Sequence, residues 1–595
     1  HAPRDAGAAA VRPNKGNEMP STTIDETGYL ADLAARRAKS WPKGVPAEIT
    51  YPLGERPLSD YLRHWGDTKA AETALIYYGT EITWGELDRL SEGFANLLQG
   101  LGIGKGDRVA VLLPNCPQFH IAFFGILKLG AVHVPISPLS KGYELAYHLN
   151  DSGAEVIVAQ DTLLPVVDEV RAETRLRKVF ATSLSELVPE QPTFNVPGFV
   201  RQPPAPMAGA EPFLPAVRAA PKERVSGADL DGVAALNYTG GTTGMPKGCV
   251  HTQRDMLYTG AANWSVAMAG DRTLIFLSYF PEFWIAGENA ALVFPAVTGR
   301  PLVLLSRWDP LGVMQAVDRY RVTSMAMMVD GAVELMDHPR FGEFDLSCLK
   351  RLRVTSFVKK LNVEYRQRWH DLTGTTLAES SWGMTETHTS NTFTTGMQDD
   401  DYDLKAQPVF VGLPIPGTEF KICDFDTGEI LPPDTEGEIV VRTPALLKGY
   451  WNKPEESAAA LRGGWLHSGD IGVIDSAGFL HYLGRRKEML KVKGMSIFPV
   501  EIEGLLGKHP AVVGSGVIGR DDAEKGQVPV AFVELKEEHR GRVSAADLAG
   551  WLGERIAAYK VPEIVVIAAL PLTPTGKVRK TDLPQFLPTP EPAGS

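Results

Sequence analysis

Arg108 to Leu113 reads RVAVLL, an apolar run of strand length that follows Gly104 and Gly106. A continuous run of this kind is buried on both faces, which is the habit of a strand in a parallel, helix-covered sheet. The residues around it agree. Upstream, Thr83 and Glu86 form a capping box. Leu87, Leu90, Phe94, Leu97 and Leu98 then recur at helical spacing, and Gly104 and Gly106 are read as ending that helix. Downstream, GAVHVPI (130–136) and AEVIVA (154–159) read as further strands. Strand–helix–strand alternation predicts an α/β protein.

Working outward, residues 189–221 carry nine prolines, at 189, 192, 197, 203, 204, 206, 212, 215 and 221. The expectation is an extended surface excursion without packed helix or central strand. Near Gly484 to Glu488 (GRRKE) a dense polar joint separates two apolar stretches. A self-contained alternation follows, with a helix over about 500–508, a strand near 527–535, a helix started by Ser544 and Asp547, and a strand EIVVIAAL (563–570). The predicted division is a tag scar or disordered tail at 1–18, a large N-terminal domain at 19–484, a hinge at 485–488 and a small mobile domain at 489–595.

Composition excludes several classes. Of 595 residues, 60 are basic and 72 acidic, for a net charge of −12. Such a surface repels phosphate backbones, so general nucleic-acid binding is not expected. Cys116, Cys249, Cys348 and Cys423 form no CxxC pair, which argues against a zinc knuckle or disulfide scaffold and for a reducing, cytoplasmic setting. No apolar stretch reaches the ~18 residues of a membrane span. The acidic run Asp399 to Asp403 reads as a solvated loop.

The chemistry concentrates first in Tyr238 to Lys247 (YTGGTTGMPK), which follows the strand-like VAALN (233–237). Thr239, Gly240, Gly241, Thr242, Thr243 and Gly244 offer backbone N–H groups and hydroxyls around a concavity, and Lys247 adds a point charge. That combination suits a polyphosphate. Lys247 is followed by Gly248, so the loop is not a Walker A motif. A plain glycine turn is the bland alternative.

This loop resembles the phosphate-binding signature of the acyl-adenylating superfamily, which includes acyl-CoA synthetases, luciferases and peptide-synthetase adenylation domains. Other segments resemble that family in the same order, over about residues 50–585. Trp382, Gly383, Met384, Thr385 and Glu386 (WGMTE) resemble its aromatic-Gly-Met-Thr-Glu segment. The resemblance implies that Trp382 stacks on adenine, Thr385 contacts the α-phosphate and Glu386 holds Mg²⁺. An aromatic face does suit a purine, and a carboxylate oxygen suits Mg²⁺. GWLHSGD (464–470) resembles the segment whose aspartate binds ribose, a role that falls on Asp470. In GRRK (484–487), Arg485 would also contact ribose and Lys487 would be the hinge pivot. Lys491 and Gly494, in KVKG, resemble the segment that serves the thiol step. Lys577, in PLTPTGKVRK (571–580), resembles the lysine that bridges substrate carboxylate and α-phosphate. The implied catalytic set is thus Lys577, Thr243, Lys247 and Glu386.

Two places depart from the pattern. Ser356 and Phe357, in VTSFVKK (354–360), stand where the family has glycines beside adenine. Phe283-Trp284 stands where it has Phe-His at the gate of the acyl pocket. Trp284 there is either a gate or core packing. Asp330, in MMVDGAV (327–333), either faces the same pocket or caps a loop.

The resemblance implies an AMP-forming carboxylate–CoA ligase with ATP, Mg²⁺ and coenzyme A, acting on a small-molecule carboxylic acid that is hydrophobic, fatty or aryl. The alternatives are an adenylating enzyme that loads a carrier protein and a non-catalytic nucleotide-binding regulator. The assembly, monomer or homodimer, is left open by the sequence.

Overall fold

The computed structural model describes residues 24–239, 245–267, 273–379, 381–406, 409–492, 495–522, 525–573 and 576–587. The predicted tail at 1–18 lies outside them. The α/β expectation holds for the body of the chain. One sheet runs, in spatial order, through Glu211–Pro212, Lys178–Thr182, Val156–Gln160, Arg108–Leu112, Val132–Pro135, Val233–Tyr238 and Gly248–Thr252. Its strands are parallel except for the last pair, which is antiparallel. RVAVLL sits at its centre, and Val109, Val111 and Leu113 are fully buried.

A second sheet runs through Ala378–Glu379, Arg351–Thr355, Ser324–Met328, Phe276–Ser278, Leu302–Leu304, Thr73–Tyr77 and Thr80–Thr83. Helices Trp84–Gly100 and Pro117–Leu129 contribute Phe94, Leu98, Phe119, Phe123 and Phe124 to one continuous core with it. Thr83 caps the first of these, its hydroxyl accepting from Glu86 N at 3.1 Å. That helix ends at Gly100, before the glycines read as its stop.

Two expectations are corrected. The proline-rich stretch is not only a surface excursion. It contains the helix Phe213–Ala219, with Phe213, Leu214 and Val217 buried, and Phe194, Val196 and Val200 also reach the core. Pro215 falls in the first helical turn, where no intrahelical N–H is needed, so the helix tolerates it. The acidic run is not simply solvated either. Arg366 is held by both Asp403 oxygens, at 2.8 and 2.7 Å, and by Asp401 at 2.9 Å.

The alternation also gave no sign of a third, antiparallel sheet, Thr392–Phe393, Phe410–Pro414, Leu480–Arg485, Trp465–Ile474, Gly437–Arg442 and Glu419–Cys423. Sheet membership changes across Arg486–Glu488. Leu490–Val492 already pairs into a separate small sheet with Met495–Ile497, Gly526–Leu535, Val512–Asp522 and Glu563–Ile567. Helices Pro499–Leu506 and Ala545–Gly553 cover this sheet, and Ile502, Leu506, Leu548 and Leu552 are buried against it.

Candidate active site

The phosphate-loop candidate joins two antiparallel strands and is tied at its neck. Thr239 N donates to Lys247 O at 2.9 Å, and Lys247 N donates to Thr239 Oγ1 at 3.1 Å. Gly240, Gly241, Thr242, Thr243 and Gly244 lie outside the described residues. Lys247 Nζ stands 4.3 Å from the centroid of the Tyr450 ring, a cation–π distance. On the other side Tyr450 Oη donates to Glu386 Oε1 at 2.9 Å. Burial and the adjacent Glu386 carboxylate push the Tyr450 phenol up, so it stays a neutral donor. Tyr450 thus couples Lys247 to Glu386, two residues about 140 positions apart in sequence. No motif singles Tyr450 out in the sequence beyond KGYWN (448–452), which places an aromatic between turn-like residues.

Trp382 presents its indole edge to Asp470, with Nε1 donating to Oδ2 at 3.0 Å, and it meets Phe420 edge to face at 5.4 Å. Asp470 and Arg485 are direct cross-strand partners, and Arg485 Nε lies 3.0 Å from Asp470 Oδ1. Burial pushes the Asp470 carboxyl up against the pull of the Arg485 guanidinium. Gly383 is required by close approach, since a Cβ there would run into the Ser390 backbone N. Thr385 O accepts from His251 Nε2 at 2.7 Å. Behind Glu386, His388, Thr389 and Ser390 all take positive φ, at 53°, 70° and 35°. Non-glycine residues in that region cost on the order of 1–3 kcal/mol each and gather at functional sites.

The departures from the glycine pattern acquire partners. Ser356 N and Oγ donate to Glu379 at 3.1 and 2.5 Å. Burial pushes Glu379 up to about 7. Lys360 Nζ donates to the Ser356 and Phe357 carbonyls. Asp330 does not present a free carboxylate. It lies in the first turn of Val329–Asp337, accepts from Lys359 N at 3.3 Å and pairs with Lys359 Nζ at 3.5 Å. Phe283 and Trp284 are half-buried and edge to face at 5.7 Å, so neither is sealed in the core.

Lys577 comes from the small domain. Its backbone N is held by Thr573 Oγ1 at 3.1 Å, and the Leu572–Val578 bridge closes the turn beneath it. Its ammonium stands 4.8 Å from the Phe357 ring centroid and feels the charges of Arg485, Asp470 and Glu488. The fold therefore brings Lys577, Arg485, Asp470 and Trp382 to one cleft, beside Glu386, Tyr450 and Lys247. Lys487 is exposed in the short turn Arg486–Glu488. Lys491 lies in Leu490–Val492, and Gly494, three residues further along the sequence, is outside the described residues.

The AMP-binding enzyme family profile matches residues 62–451, and the AMP-binding enzyme C-terminal domain profile matches residues 501–577. The chain is 32% identical over 555 residues to a long-chain-fatty-acid–CoA ligase of Bacillus subtilis, covering 91% of this chain and 96% of that protein. It is 28% identical to a 4-coumarate–CoA ligase of Vanilla planifolia, covering 84% and 88%. Among solved structures it superposes on the anthranilate CoA ligase AuaEII in complex with anthranoyl-AMP with a TM-score of 0.76 and 27% identity, covering 89% and 97%. By the match across both of its domains, this chain belongs to the AMP-binding enzyme family.

Proposed function

We propose that this protein is an AMP-forming carboxylate–CoA ligase acting on a hydrophobic acid, fatty or aryl. The observation that carries the reading is a small-domain lysine, Lys577, brought within electrostatic reach of the Asp470–Arg485 pair of the large domain. A carboxylate is a poor acyl donor because its leaving group would be oxide. In the first half-reaction the carboxylate oxygen attacks the α-phosphorus of ATP, the α–β bond breaks and pyrophosphate leaves. Lys577 would meet the charge that gathers between carboxylate and α-phosphate. Lys247 and the 239–244 loop would hold the phosphates. Asp470 would accept from the ribose hydroxyls with Arg485 beside it, and Trp382 would border the adenine. In the second half-reaction a thiol sulfur attacks the acyl carbon and AMP leaves with the bonding electrons. Rotation about Lys487 would exchange Lys577 for the Lys491–Gly494 segment between the two.

Glu386 fits a magnesium site. It offers one carboxylate oxygen to Tyr450 and has a second, and Mg²⁺ bound through a nucleotide takes most of its oxygens from phosphate and water. Among the described residues there is no cluster of three or more His, Cys, Asp or Glu side chains for a fully protein-held metal. Bound there, the ion would neutralise charge on the phosphates. Among the described residues no helix is long and apolar enough to cross a membrane. The relatives act, by their names, on long-chain fatty acids, 4-coumarate and anthranilate. That range supports a hydrophobic acid.

Nucleotide product analysis tests the reading. With ATP, Mg²⁺ and pooled fatty and aryl acids, AMP is expected only when acid and CoA are both present. Acid-dependent pyrophosphate without CoA turnover would transfer the reading to a carrier-protein acceptor, and ADP would overturn it. For the acid itself, Trp284→Ala is expected to shift relative kcat/KM among acids of different length by about tenfold, with little change in the KM for ATP. An unaltered acid profile would return Trp284 to a packing role.

A further inference from the structure

The segment that replaces the family's glycines does more than border the nucleotide cleft. Val358 belongs to the large domain, yet it is buried in a hydrophobic cluster otherwise made by the small domain, with Val530, Phe532, Ile567, Leu570 and Leu583. Val578, the neighbour of Lys577, packs on the same cluster. On one side of Val358 the Phe357 ring receives the Lys577 ammonium. On the other, the Lys360 stem lies against the small domain at Gly507, where an added Cβ would come within 2.6 Å of Lys360 Cγ. The tightest point is Gly514, in the strand Val512–Asp522, where an added Cβ would overlap Val358 Cγ1. Two small-domain glycines thus make room for residues 358 and 360 of the large domain.

We propose that Val358 is a positioning residue for Lys577. Seated against Gly514, it latches the small domain in the orientation that holds the lysine in the cleft. The proposal rests on the two-half-reaction reading above. The physical basis is local. Burying an aliphatic side chain across a domain boundary favours the one orientation in which its pocket exists. The pocket exists because position 514 has no side chain. Rotation of the small domain for the thiol step would have to withdraw Val358 from this cluster, so the latch favours adenylation and must release before thiolation.

Gly514→Ala tests this without touching the cleft. Within the small domain the atom nearest the new methyl is Leu570 Cδ1, at 3.1 Å, a side-chain end that can rotate away, so the domain is expected to keep its fold, with a Tm near wild type. Acid-dependent pyrophosphate release is expected to fall by about tenfold or more, with thioester formation from supplied acyl-adenylate and CoA within about twofold of wild type. Val358→Ala in the same chain removes the overlapping methyl and is expected to restore most of the lost adenylation, a coupling that independent sites do not show. Equal loss in both half-reactions, no loss in either, or no restoration in the double variant would overturn the latch. A readout that needs no substrate separates this from failure of the ligase reading. Trypsin cleavage at exposed Arg486 and Lys487 is expected to quicken in Gly514→Ala and to slow again in the double variant. If wild type forms no AMP with any acid while the cleavage rates follow this order, the ligase reading falls and the latch stands. Unchanged cleavage rates would sink the latch.

Discussion

Lys577→Ala is expected to lower acid-dependent pyrophosphate release by about 10²–10³-fold, the usual cost of removing one preorganised group that meets transition-state charge. The lysine has few structural duties. Its side chain is exposed, its backbone N is held by Thr573, and among the described residues its one ring contact is with Phe357. The variant should therefore fold with an unchanged Tm. What it loses is a cation brought within electrostatic reach of Asp470 and Arg485, where charge gathers during adenylation. Thiolation of supplied acyl-adenylate should fall far less, because that step has no carboxylate-to-phosphate charge to meet. Equal loss in both half-reactions would remove Lys577 from the adenylation transition state.

Glu386→Gln is expected to lower adenylation by about 10²-fold and to raise the Mg²⁺ concentration needed for half-maximal rate. The replacement keeps shape and can still accept from Tyr450 Oη, so it deletes charge and little else. Glu386 is partly exposed, and no buried partner is left unpaired by the change. A rate loss with an unshifted Mg²⁺ requirement would mean that the Glu386 charge acts through its charge-assisted bond to Tyr450 Oη, which an amide oxygen makes more weakly, and not through Mg²⁺. Tyr450→Phe then separates the two roles, since it removes the Oη donor and keeps the ring on which Lys247 rests.

The sequence was most informative where the controlling physics is short-range. Thr83 and Glu86 mark a helix start because the cap is satisfied three residues away. RVAVLL reads as a buried strand because both faces of a parallel sheet are covered. The two glycine-rich and aspartate-bearing motifs, with Lys577, were legible only together, by resemblance in order along the chain. The proline-rich stretch is misleading because the number of prolines does not say where they fall, and Pro215 sits in a first turn that tolerates it.

By itself, then, the sequence determined the α/β body, the separate small domain and the residue types of the nucleotide cleft, since periodicity, caps and turn chemistry are written within a few positions. Only the tertiary structure decided that Tyr450 stands between Lys247 and Glu386, that Lys359 occupies Asp330, and that Val358 enters the small domain at Gly514. Those pairings join residues tens to hundreds of positions apart. Close packing selects them through shape, and no local pattern encodes which surfaces will meet.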